Sequence, residues 1–148
     1  MAKEPVYIKN TLGKDEEIKW IADLHWIVYL NPVIYTLLGL LFLTSPARGI
    51  GIFFLFLAAW VLLYWRKTEY VITNRRVIAK RGIISVKTEE LRNGKVESVY
   101  ITQGIIERCF GCGTVVFGGT GGSKVKFKFI ANPRQVKTHL EEIIEENK

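Results

Sequence analysis

Charge is missing from one long stretch of this chain: between Ile27 and Trp65 the only ionisable side chain, tyrosine hydroxyls aside, is Arg48. A soluble helix needs one apolar face, and its opposite face normally carries charge. Cysteine is scarce as well. Cys109 and Cys112 are the only two, too few and too close for a disulfide-stapled secreted fold, and a reduced cytoplasmic setting suits them. Histidine is limited to His25 and His139. A Cys-x-x-Cys half-site for zinc therefore lacks partners, because His25 falls beside the apolar stretch. A redox reading of the same spacing would need a thioredoxin-like βαβ setting, which the sequence lacks. The pair reads as two reduced thiols beside a tight turn. No Ser-His-Asp set, paired catalytic carboxylates or His-Glu-x-x-His motif occurs. The run Gly118-Gly119-Thr120-Gly121-Gly122-Ser123-Lys124 fails as a phosphate loop, since Ser123 precedes Lys124 and a strand follows. These absences leave no catalytic, cofactor or metal residues to name and argue against an enzyme.

What is present begins with two apolar runs, Leu24 to Leu43 and Gly49 to Trp65. A helix rises ~1.5 Å per residue, so runs of this length cover about 26–30 Å, the thickness of a bilayer's hydrocarbon core. Only Thr44-Ser45-Pro46-Ala47-Arg48 separates them, which forces an antiparallel hairpin with both ends on one side. A signal peptide would need a positive leading region and one short run, whereas residues 1–23 are net acidic and a second run follows at once. A pair of buried helices in a soluble core is the other alternative, and it sits badly with helices apolar on every face. Asn31-Pro32 is expected to kink the first helix near its start, and His25 to sit at the boundary.

The loop offers one positive charge, while Lys14, Lys19, Arg66, Lys67, Arg75 and Arg76 flank the other ends. Positive residues stay cytoplasmic, so both termini are expected in the cytoplasm of an inner-membrane protein. Trp20, Trp26, Tyr29, Tyr64 and Trp65 are the expected interface anchors. The net charge of +7 resides in residues 66–148, with sixteen Lys/Arg against nine Asp/Glu. Basic charge beside a bilayer favours anionic headgroups over nucleic acid. Arg66, Lys67, Arg75, Arg76, Lys80 and Arg81 are the candidate contacts for lipid or a protein partner, joined by Lys124, Lys126 and Lys128.

From Thr68 the pattern changes to short β-prone runs: 68–73 and 76–82 about a turn at Asn74-Arg75, 95–102, 114–119 and 124–130. In the last, Val125, Phe127 and Phe129 are expected on one face and the three lysines on the other. Asn132-Pro133 opens a helix whose stripe is Val136, Leu140, Ile143 and Ile144.

The runs TEYVITNRRVIAKRGIIS, GKVESVYITQGIIERCFGCGTVVFGGTGG and IANPRQVKTHL resemble the bacterial pleckstrin-homology-like family, once known only as a domain of unknown function. The resemblance covers about residues 50–145. It implies two transmembrane helices ahead of a split β-barrel of two roughly orthogonal sheets, capped by the C-terminal helix. The expected fold class is thus a membrane α-helical hairpin plus a mainly-β PH-like split barrel. The expected division is an N-terminal cytoplasmic segment (1–23), the hairpin (24–65) and the PH-like domain (66–148). The function expected is a membrane-anchored interaction or scaffolding module, docking a protein partner or a second copy of itself. An anionic-lipid sensor and an accessory subunit of a transport complex are the alternatives.

Overall fold

In the computed structural model, which describes residues 4–146, the hairpin interrupts a β-sheet rather than preceding one. Strand β1 (Ile18–Ile21) precedes the apolar helices yet pairs antiparallel with β2 (Glu69–Thr73), which follows them. With β3 (Arg76–Arg81) and β4 (Lys87–Arg92) they form a sheet of order β1-β2-β3-β4. The second sheet, β5-β6-β7, comprises β5 (Val96–Thr102), β6 (Gly113–Gly119) and β7 (Lys124–Ile130). A domain boundary at residue 66, as the sequence suggested, would cut β1 from its own sheet. The outermost residues of that division, 1–3 and 147–148, lie outside the described ones.

The core lies between the sheets. Tyr70, Ile72, Val77 and Ala79 face Val115, Phe117, Val125 and Phe127, with Tyr70 stacked on Phe127 and Phe117 edge-on to it. The C-terminal helix α5 (Pro133–Glu146) adds Val136, Leu140 and Ile143 to this core, the stripe that its 3.6-residue periodicity indicates. On the outer face of β2, Val71 packs with Ile78 beneath Ile8 of the short helix α1 (Val6–Lys9). Burial on both faces explains why β2 is apolar at successive positions instead of alternating.

Strand β7 departs from strict alternation at its end. Val125 and Phe127 are buried and Lys124, Lys126 and Lys128 exposed. Phe129, expected on the core face, instead has φ +54 and meets Trp65 at 5.5 Å, while Ile130 takes the buried place. The register shift opposite, between Gly113 and Val115, marks a bulge, and a bulge turns the following side chain out of phase.

Two helices form the hairpin, α2 (Leu30–Leu43), entered through a 3-10 turn at Trp26–Tyr29, and α3 (Arg48–Arg66). Pro32 is the third residue of α2. It lies in the first turn, where a proline sacrifices no essential N–H. The helices touch through glycine. A Cβ on Gly51 would sit 2.8 Å from the Gly39 carbonyl oxygen and 2.8 Å from the Leu43 nitrogen, a backbone approach that only small residues permit. The outward faces, by contrast, are large and apolar: Leu37, Leu41, Phe53 and Phe56 are all exposed. Only 17% and 11% of the residues in Trp26–Leu43 and Arg48–Arg66 are buried.

The far end of the first sheet is held by an ion pair. Arg76 forks onto Glu16 with Nε and Nη2 each at 2.8 Å, and its Nη1 reaches Glu90 at 2.6 Å. The Thr73 hydroxyl and the Gly13 N–H also donate to Glu16. Burial pushes the Glu16 carboxyl up, but these donors together outweigh it and hold the carboxyl at about 2, below its ordinary 4.5. A depressed folded-state value means stability that is complete above pH 4.5 and is lost as pH falls toward 2. Glu16→Gln should cost roughly 1–3 kcal/mol at neutral pH and abolish this acid-side loss, read from denaturation midpoints between pH 6 and 2.5. For the hairpin, Gly51→Val should lower the thermal midpoint in detergent by an amount equivalent to about 1–3 kcal/mol. Gly49→Val, with nothing within 4 Å of the added carbon, should leave the midpoint within experimental scatter.

Candidate functional site at the base of the hairpin

The two roots of the hairpin are sewn into the barrel by backbone bonds. Past β1, the Ala22 N–H donates to the Tyr70 carbonyl at 3.0 Å, still within the first sheet. The chain then crosses to the second sheet. Asp23 accepts from the Ala131 N–H at 3.0 Å, Leu24 pairs with Ile130, and the His25 N–H donates to the Phe129 carbonyl at 2.7 Å. Residues 22–25 thus join the free edges of both sheets immediately before the helices begin. His25 then accepts the Ile27 N–H on Nδ1 at 3.3 Å, capping the first turn.

At the second root, the Thr68 hydroxyl donates to the Tyr64 carbonyl, and the Lys80 ammonium donates to the Lys67 carbonyl at 3.0 Å. Lys67 is the C-cap of α3, so a cation sits where the helix dipole is negative. The same ammonium lies 4.8 Å from the Tyr7 ring centroid. Glu69 fastens α1 alongside by accepting the Tyr7 and Ile8 N–H groups. Between the roots is an open cavity of about 660 Å³, walled by Trp26, Tyr29 and Trp65 and edged by Asp23, His25, Arg66 and Glu69. Its volume suits a small ligand, and its charges are of both signs. Among the described residues no group of three or more His, Cys, Asp or Glu is placed to hold a metal ion.

The candidate basic residues do not form one patch. Antiparallel pairing puts Glu69 opposite Lys80 and Ile72 opposite Val77, so the Asn74-Arg75 turn lies at the end of β2 away from the hairpin. Arg75 and Arg76 are near Arg66 and Lys67 in sequence only, and Arg76 is engaged by Glu16 and Glu90. Lys80 is buried beneath the α3 terminus, and Arg81 is paired with Glu89. Arg66 and Lys67 remain at the roots. Lys124, Lys126 and Lys128 line the outer face of β7, which starts at the far end and finishes against Leu24.

The expected aromatic anchors separate in the same way. Trp26, Tyr29, Tyr64 and Trp65 surround the hairpin base. Trp20 belongs to β1, packs against the core and meets His139 of α5 edge-on at 5.5 Å; the strand preceding the hairpin claims it. Missed entirely from sequence was α4 (Ile105–Phe110), between β5 and β6. Cys109 is exposed on it, while Cys112 is buried just past the Gly111 C-cap. Burial, helped by nearby Glu107, pushes the Cys112 thiol up, the opposite of a reactive cysteine.

No curated protein and no solved structure matches the chain. The family model described as "Bacterial PH domain" matches residues 21–144, a span that takes in the hairpin, strands β2 to β7 and most of α5, and begins at the last residue of β1. The chain belongs to the bacterial PH domain family.

Proposed function

We propose that this chain is a membrane-anchored interaction module: the hairpin crosses the bilayer, and the barrel is presented at the cytoplasmic surface with both termini beside it. The supporting observation is the hairpin's outer surface, large and apolar on the faces turned away from the helix pair. Leaving that surface in water would cost roughly 25 cal/mol for each Å², whereas lipid accepts it without cost. Arg66 and Lys67 at the roots, against Arg48 alone at the tip, favour the cytoplasmic orientation.

A protein partner is favoured over an anionic-lipid sensor by the course of β7. Lys124 is at the end remote from the hairpin and Lys128 is nearest to it, about 13 Å apart at ~3.3 Å per residue. The ammonium row therefore climbs away from the bilayer and offers its length to an acidic protein face, with only its lower end near headgroups. The family's PH-like fold supports a non-catalytic binding role of this general kind, although fold alone does not select a partner.

The full chain is expected to stay in the membrane pellet after alkaline carbonate washing. Fused at its C-terminus, a fluorescent protein should be bright and alkaline phosphatase inactive. Release into the supernatant, or the reverse reporter pattern, contradicts the anchoring. Amine-reactive crosslinking in native membranes should yield a second polypeptide joined at Lys124, Lys126 or Lys128, and the triple Lys→Glu variant should lose that product. Recovery of uncrosslinked monomer alone contradicts the partner reading.

A further inference from the structure

Apart from Tyr100 on β5 and Val6 and Tyr7 on α1, the barrel's own exposed large apolar side chains are gathered at one end. The β2–β3 turn, the β4–β5 connection at Asn93–Lys95 and the β6–β7 tip at Thr120–Gly122 lie at the end away from the hairpin. These three carry no large apolar residue. The connections at the hairpin end are different. Between β3 and β4, Ile84 is 82% exposed and Val86 is exposed. On α4, Ile105 and Ile106 are 87% and 66% exposed, with Phe110 exposed on the next turn.

Register fixes where these two connections stand. Lys80 is opposite Glu69, so β3 runs back toward the root of α3 and β4 starts from there. Tyr64, in the last turns of α3, shares a surface hollow with Gly82 and Ser85 of that loop. Gly82 has φ +108, and a Cβ there would lie 2.0 Å from the Ser85 carbonyl oxygen, so the loop is a tight, glycine-dependent tip. In the second sheet Thr102 is opposite Thr114 and Gly113 opposite Ile130, which brings α4 to the other root. The Phe110 ring meets the Trp26 ring edge-on at 5.5 Å. The apolar face of α4 is thereby continuous with the aromatic base of the hairpin.

We infer that α4 and the β3–β4 tip are two apolar feet that sink into the interfacial zone of the same bilayer and hold the barrel down against it. This rests on the hairpin spanning the membrane. The occupant is lipid: the feet flank the hairpin roots, and each carries a basic shoulder, Arg108 on α4 and Lys87 beside the tip. Exposed apolar residues beside a basic one suit the boundary of headgroups and acyl chains. The roots already limit how the barrel sits on the hairpin, and the feet add contacts with lipid on both sides of it.

Cys109 is a native reporter, since it lies four residues after Ile105 on the same helix face and is exposed, whereas Cys112 is fully buried. In full-length protein reconstituted in phospholipid nanodiscs, a nitroxide on Cys109 should show an oxygen-to-nickel accessibility ratio several-fold above that of a label at Arg75→Cys, on the remote turn. A label at Ile84→Cys should behave like Cys109, and one at Leu37→Cys in mid-helix should give the highest ratio, each variant carrying Cys109→Ser. A nickel-accessible label at Cys109 or Ile84, with Leu37→Cys still oxygen-accessible, overturns the feet and leaves the hairpin standing. An aqueous ratio at Leu37→Cys overturns the spanning hairpin and the feet with it.

Discussion

Everything in this molecule depends on the pairing of β1 with β2 across the hairpin. Forty-seven residues separate Ile21 from Glu69, yet the two strands are neighbours in one sheet. An antiparallel pair can be joined by a tight turn; here the joint is a pair of antiparallel helices whose roots return to nearly the same place. The helices are therefore an extended strand connection. The continuation at Ala22–His25, which crosses to β7, closes the barrel with the same segment that launches the first helix. Hairpin and barrel share backbone hydrogen bonds at both roots, so each limits the orientations open to the other.

The constraint also decides which charges can act together. In an antiparallel sheet, sequence neighbours on opposite sides of a long strand stand at opposite ends of it. Arg75 and Arg76 follow Arg66 and Lys67 by about nine residues, but β2 carries them to the remote end, where Glu16 neutralises Arg76. Lys80 returns to the hairpin and is consumed there as a cap for α3. A formal charge of +7 thus becomes several separate uses of cations: an ion-pair clasp, a helix cap, a row along β7 and the roots themselves.

Much of this was legible in the sequence where periodicity is strong. The two uncharged runs gave the hairpin: the first helix ends at Leu43 as the Thr44–Arg48 connector implied, while α3 takes in Arg48 and α2 begins at Leu30, six residues inside the apolar run. The alternation of Lys124–Phe127 gave β7, and the Val136-Leu140-Ile143 stripe gave α5. Family resemblance added the barrel. Besides the single-turn α1, three elements were hidden for physical reasons. Ile18–Ile21 is a four-residue strand abutting an apolar run, so its Trp20 looked like an interfacial anchor. Lys87–Arg92 is an edge strand with charge on both faces, a pattern that protects an edge and erases alternation. The helix at Ile105–Phe110 is under two turns long, too short for a period to register. The sequence did hold one unused signal for the site, the repeated Gly-Ile-Ile at Gly82–Ile84 and Gly104–Ile106, apolar pairs in segments whose glycines mark connections.

The most direct test of the shared-sheet account compares two soluble chains. One is residues 66–148 alone, and the other is residues 16–25 joined to 66–148 by a short glycine-serine linker in place of the helices. Cooperative thermal unfolding with dispersed amide resonances is expected only of the joined chain, because the first lacks β1 and leaves β2 and β7 without their closing segment. Equal midpoints and equal dispersion in the two chains would contradict it.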